Sequence, residues 1–266
     1  MNYRNVLEKA FDAAESVAKQ LQINGKASQP INYGAFGDMT YKIDKDVETK
    51  ILEVIQSYLP KSLIISEEAG LIGDLSGRPV VLIDPVDGST NAFRNVPFYS
   101  SAITIIDGFR FNEVISAGVI DLVNNDRILS NDNGKVLFNG DSVQPSSTKI
   151  LDEAYISINI HAQDMDNSEK WLVSLLREIR HPRFLGSAAL ETAYVAVGKS
   201  NAFIQITPNL RTFDCIGALF LVKAAGGWIR FLNTDIDSID LRKPERFAYV
   251  AACDSVLGEL LTSFRA

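Results

Sequence analysis

Histidine and cysteine are nearly absent from this chain, at 2 residues each in 266. Cys215 and Cys253 lack metal-ligand spacing, and His161 and His181 are isolated, so neither a zinc site nor a disulfide framework has the residues it needs. So few cysteines fit a reducing, cytoplasmic setting. Long apolar runs are missing too. None approaches the length that spans a bilayer, and Met1–Val6 has no secretory apolar segment. Positive charge is in deficit: Lys and Arg number 26 against 33 Asp and Glu, a net charge of −7. That removes any global attraction to nucleic acid or to an anionic membrane. An anionic substrate would have to be attracted locally. Low-complexity linkers and internal repeats are also absent.

What remains is ordinary globular composition, 46% hydrophobic and 22% charged. The length suits one large domain or two intimate subdomains, with a soft boundary near Asp141–Lys149. Apolar residues at helical spacing predict a helix over Val6–Leu21, ended by Asn24-Gly25, and another over Ile43–Leu59, stopped by Pro60. Between them Ser28–Met39 has no period and reads as a mobile loop. Strands are expected at Leu63–Ile65, Val80–Ile83, Ile103–Ile106, Val114–Val119, Tyr155–Ile158 and Ala202–Ile206, with a hairpin and turns over Asn124–Asp141. Helices are expected at Ser168–Ile179, Ala188–Val197 and Ile216–Ala225. The last is apolar on nearly every face and therefore buried. Trp171 and Trp228 read as core. Mixed strands and helices along the whole length give an α/β (α+β) class with layered sheets.

The stretch Val80–Asn91 carries the strongest chemical signal. Four apolar residues deliver Asp84-Pro85-Val86-Asp87-Gly88-Ser89-Thr90 to the end of a strand. Two carboxylates three residues apart suit a hard cation, and backbone N–H groups around Gly88-Ser89 suit a phosphate. Chemistry that needs both is phosphoryl transfer or phosphate-ester hydrolysis. Glu67 and Asp214 likewise adjoin apolar runs, where an unpaired carboxylate is costly. A set of such groups repels itself and favours divalent cations, chiefly Mg²⁺. Taken alone, Asp214 could be an N-cap of the Ile216 helix, or serve as both cap and ligand, Glu68 reads as solvated, and Glu191 reads as completing a cap with Ser187.

Ile64–Glu68, Asp84–Asn91, Phe213–Ala218 and Ala224–Gly227 together resemble the inositol monophosphatase family. The likeness is closest to its archaeal branch, which acts on inositol monophosphate and fructose 1,6-bisphosphate. It runs from about Ala10 to Ser255 and takes in Gly34–Asp44 and Arg183–Glu191.

The resemblance implies a layered α/β/α/β/α fold over residues 1–266, with a metal- and phosphate-binding half (1–145) and a substrate-binding half (146–266). It implies two or three Mg²⁺ ions, with Mn²⁺ as an alternative. Glu67, Asp84 and the Val86 carbonyl would hold the first, Asp84, Asp87 and Asp214 the second, and Glu67 with Asp38 a weaker third. Asp44 and Ser89 would orient and deprotonate the attacking water, with Asp38 and Thr40 brought over the site by their loop. Gly88, Ser89 and Thr90 would hold the phosphate. Ser187, Ala188, Thr207, Arg183 and Arg211 would contact the rest of a small-molecule phosphate ester, with a surface ion pair as the competing reading of each arginine. Li⁺ inhibition and a homodimer are also implied.

Where archaeal relatives often carry Asp and Arg before the last metal ligand, this chain has Gln205 and Thr207. The missing Arg would weaken the hold on a second phosphate. Phe213 replaces a common Trp as apolar filling. A phosphatase for a 3′- or 2′-phosphonucleotide or for NADP is the alternative within enzymes, and a catalytically dead, metal-stabilised binding protein the alternative outside them.

Overall fold

The computed structural model of the protein describes residues 2–160, 168–243 and 245–265; His161 lies outside them. Its first layer is a pair of amphipathic helices. Val6, Leu7, Ala10, Phe11, Ala14, Ala18 and Leu21 form the buried stripe of α1 (Tyr3–Ile23). Ile43, Val47, Ile51 and Ile55 form that of α2 (Lys42–Tyr58). Between the helices, the segment expected to be a loop contains a short antiparallel hairpin, β1 (Pro30–Tyr33) and β2 (Met39–Tyr41). All four residues of β1 are exposed. No inward face exists there to write an alternating apolar pattern, so no strand signal is present in the sequence.

Both helices cover one face of an eight-stranded sheet. In chain order its strands are β3 (Leu63–Ser66), β4 (Gly70–Ile72), β5 (Val80–Asp87), β6 (Ser100–Ile106), β7 (Val114–Asp121), β8 (Arg127–Ser130), β9 (Val136–Phe138) and β10 (Asp141–Ser142). In space they lie β10-β9-β8-β7-β6-β5-β3-β4. Only β3 and β5 pair in parallel. Every residue of β5 is buried, because helices cover both faces of the sheet there. The short α3 (Ser89–Arg94) follows β5 directly.

The second sheet is built from β11 (Tyr155–Asn159), β12 (His181–Arg183), β13 (Ala202–Arg211), β14 (Trp228–Phe231) and β15 (Arg246–Ala252), in the order β12-β11-β13-β15-β14. Helices α5 (Ala188–Ala196) and α6 (Thr212–Ala224) pack between the two sheets, while α4 (Ser168–Glu178) and α7 (Ser255–Ser263) cover the far side of the second. The layers are therefore α/β/α/β/α. Helix α6 is apolar all round because both of its sides meet a sheet. It approaches closely through Gly217, where an added Cβ would fall 2.4 Å from Thr104 Oγ1. Trp171 is buried as expected, but Trp228 is only half-buried, since it stands on the edge strand β14.

Candidate active site

Three acidic side chains reach one point from three different elements. Glu67 immediately follows β3, and its N–H donates to the Ile83 carbonyl (3.2 Å), which fixes it beside the end of β5. The pairing of β5 with β6 is irregular between Asp84 and Asp87, where the strand turns out of the ladder. Asp214 lies in the first turn of α6. One carboxylate oxygen from each of Glu67, Asp84 and Asp214 lies within 4.8 Å of the others. Burial first, and then mutual repulsion, raises Glu67 and Asp84 well above the usual carboxylate range. Burial also raises Asp214 to about 7, although Arg211 opposes the shift. Asp84 Oδ1 is buried and has no hydrogen-bond partner among the described residues. An orphaned oxygen within a self-repelling acidic set has the character of a divalent-cation site, so this donor set fits the metal.

Asp214 is not the N-cap that the sequence suggested. Helix α6 starts at Thr212, so Asp214 is its third residue, and its carboxylate accepts the Arg211 N–H at 2.6 Å. Asp44 repeats the arrangement in α2, accepting the Tyr41 N–H at 2.7 Å. Burial raises Asp44 to about 7, against the pull of the Tyr41 N–H and the Ser89 hydroxyl. Its Oδ1 has no hydrogen-bond partner among the described residues.

Asp87 faces elsewhere. Its carboxylate accepts the N–H groups of Ala188 (3.0 Å) and Ala189 (2.9 Å) and the hydroxyls of Ser100 (3.1 Å) and Ser187. It thus supplies the side-chain cap of α5 from another strand, and Ser187, at the N-cap position, makes no such bond itself. Glu191 takes the Gly186 (3.0 Å) and Ser187 (3.3 Å) N–H groups, in keeping with its expected capping role. The Ser89 hydroxyl donates to the Val86 carbonyl at 2.8 Å.

A cleft of roughly 410 Å³ opens in front of these groups. Asp38, Glu67, Gly88, Ser89, Thr90, Arg211 and Asp214 line it, together with Tyr41, Glu68, Asn159, Asn209 and Arg246, which were not expected in the site. Gly88 sits at φ +88°, and an added Cβ would meet the Gly186 carbonyl at 2.9 Å, so glycine is required at this turn. Arg211 is buried, not a surface residue, and pairs with Glu67 (3.3 Å) and with Asp38. Arg183 is not among the cleft-lining residues. Its guanidinium stacks 4.7 Å from the Tyr155 ring centre and donates to the Pro182 carbonyl. Thr207 is buried against Asn209, whose Nδ2 donates to its hydroxyl at 3.1 Å. Glu68 is not solvated: it is half-buried and accepts the Thr40 hydroxyl. The sequence reading also gave no weight to Glu48. Fully buried on α2, it accepts the Ser66 hydroxyl (2.6 Å) and the N–H groups of Glu68 (3.2 Å) and Ala69 (2.7 Å), tying the turn that carries Glu67 to that helix. One signal was available for Asn159. It ends a strand that pairs in parallel, and ligands gather at the carboxyl ends of such strands.

The sequence profile of the inositol monophosphatase family matches residues 2–259. A fructose-1,6-bisphosphatase/inositol-1-monophosphatase of Methanothermobacter thermautotrophicus is 30% identical over 85% of this chain and 82% of its own length. A bifunctional NADP phosphatase/NAD kinase of Methanococcus maripaludis is 28% identical over 98% of this chain, which spans 49% of that protein. The extragenic suppressor protein SuhB of Bartonella henselae has the same fold, with a TM-score of 0.83 over 98% of each chain at 21% identity.

Proposed function

The chain belongs to the inositol monophosphatase family, whose members are phosphatases, and we propose that it is a Mg²⁺-dependent phosphomonoesterase acting on a small sugar or polyol phosphate. Inositol 1-phosphate and fructose 1,6-bisphosphate are the first candidates. The observation that carries this reading is the convergence of Glu67, Asp84 and Asp214 on one point of a cleft that the Gly88–Thr90 turn also lines.

Glu67, Asp84 and Asp214 would hold the ions, with Asp87 and the Val86 carbonyl joining once they turn from their present partners. Two or three Mg²⁺ ions are proposed, and Mn²⁺ would serve in their place. Bound divalent ions would acidify a water and offset the charge of the phosphate. The turn at Gly88, Ser89 and Thr90 orients the phosphate through its backbone N–H groups. Asp44 takes the proton of the attacking water, its unpartnered Oδ1 being the acceptor. Ser89 holds that water in line, and Thr40 steadies Glu68 behind it. The water oxygen bonds to phosphorus as the ester P–O bond breaks, and the alcohol leaves after taking a proton from solvent. Asp38 covers the site from the hairpin by its pairing with Arg211.

The test is phosphate release with Mg²⁺ from inositol 1-phosphate, fructose 1,6-bisphosphate, 3′-phosphoadenosine 5′-phosphate and NADP. Turnover of the first two, abolished by EDTA, is expected. Preference for an adenine nucleotide would favour the second reading, a phosphonucleotide or NADP phosphatase, which the Methanococcus relative supports. The same assay with added Li⁺ tests the proposed inhibition, and light scattering at assay concentration tests the proposed homodimer. A cytoplasmic location belongs to this proposal too; among the described residues no helix is long and apolar enough to cross a membrane.

A further inference from the structure

The cleft is lined by two arginines as well as by acidic residues. Strands β13 and β15 run antiparallel, and their register places Arg211 directly opposite Arg246. Like charges facing each other across a strand pair are destabilising, and among the described residues only Arg211 of this pair makes contact ion pairs, Arg246 acting on Asp214 from a greater distance. Arg211 is held by Glu67 and Asp38. Arg246 has no carboxylate within ion-pair distance among the described residues, and it is exposed where it lines the cleft. One of its guanidinium nitrogens donates to the Asn209 carbonyl at 2.8 Å, which directs the side chain along the irregular stretch of β13 between Gln205 and Leu210. A guanidinium has five N–H donors and no acceptor, so most of its donors remain for a ligand. Asn159 and Asn209 line the same cleft. Thr207, by contrast, is buried and carries no charge.

We infer that Arg246 is a specificity-determining residue that receives a second phosphate group of the substrate, away from the ester being cleaved. The inference rests on the phosphatase reading of the same cleft. An arginine on β15 thus supplies the cation that position 207 of β13 lacks. Its planar fork suits a phosphate dianion bidentately. Substrates with two phosphates gain from it, whereas a monophosphate such as inositol 1-phosphate presents only hydroxyls there.

The test compares the wild type, Arg246→Gln and Arg246→Lys with Mg²⁺ on fructose 1,6-bisphosphate, 3′-phosphoadenosine 5′-phosphate and inositol 1-phosphate. For Arg246→Gln, kcat/KM for a two-phosphate substrate relative to inositol 1-phosphate should fall about tenfold, mainly through KM, which is the scale of one lost charge-assisted contact. Arg246→Lys should recover part of that ratio. The loss falling on fructose 1,6-bisphosphate alone or on the nucleotide alone would identify which carrier brings the second phosphate. An unchanged ratio for both would overturn the inference. A parallel calorimetric titration uses Ca²⁺ in place of Mg²⁺ and compares fructose 1,6-bisphosphate with fructose 6-phosphate. If the wild type turns over nothing yet binds the bisphosphate more tightly, and Arg246→Gln removes that margin, the phosphatase reading fails while the Arg246 assignment stands. If the wild type binds both sugars alike, the assignment fails whatever the turnover.

Discussion

Asp44 and Asp214 each do two jobs with one carboxylate. One oxygen closes the first turn of a helix; the other oxygen of Asp44 has no partner among the described residues, and Asp214 lines the cleft. The capping bond fixes the side chain before any ligand arrives, which is the preorganisation that catalysis needs. Asp44→Asn removes the proton acceptor while leaving an amide oxygen for the Tyr41 N–H. It should lower kcat by about 10²–10⁴-fold with little change in melting temperature, read by phosphate release and calorimetry on the same preparation. Asp87→Asn should behave differently. The carboxylate accepts bonds from α5 and from two serines, and an amide cannot accept on its nitrogen. A stability loss of about 1–3 kcal/mol should therefore accompany its loss of activity, measured by urea denaturation. The acidic motifs were legible because strands that deliver carboxylates out of a buried run are unusual. Arg246 and Asn209 were not, because their place beside the site depends on strand partners far away in sequence, and for Asn159 the end of a strand was the one signal.

At the scale of elements, close approach decides where the helices lie. Helix α6 meets the large sheet at Gly217, and the added methyl of Gly217→Ala would collide with Thr104. That variant should lose about 1–3 kcal/mol, visible as a lower denaturation midpoint with unchanged slope. The link between α2 and the turn after β3 is polar instead. Glu48→Ala would leave the Ser66 hydroxyl and the Glu68 and Ala69 N–H groups without their acceptor. A loss of about 2–4 kcal/mol is expected, and the Mg²⁺ concentration for half-maximal rate should rise because Glu67 is no longer held. Helices and strands with one buried face could be read from periodicity. The exposed strand β1 and the early start of α6 could not: the first has no apolar alternation, and the second is set by the capping bond at Asp214.

For the whole molecule, the acidic cluster makes stability depend on pH and on metal together. Burial raises Asp44, Asp214 and Glu191 to about 7. The metal-free native state therefore holds protons that the unfolded chain releases near pH 4. Stability contributed by these groups is present below that pH and is lost as pH rises through about 7. The melting temperature of EDTA-treated protein should fall between pH 5 and pH 8. Mg²⁺ at about 100 times its dissociation constant should restore roughly 2.7 kcal/mol at the upper pH, and a melting temperature indifferent to Mg²⁺ there would count against the cluster as a metal site.

The sequence by itself determined the layered class, the buried helices and the acidic motifs, because apolar periodicity and carboxylates set against apolar runs are local signals. Only the tertiary structure decided that Asp87 caps α5, that Arg183 stacks on Tyr155 outside the cleft, and that Arg211 and Arg246 face each other across β13 and β15. Those facts depend on strand register and on which helix end meets which strand, and neither is fixed until distant parts of the chain have packed.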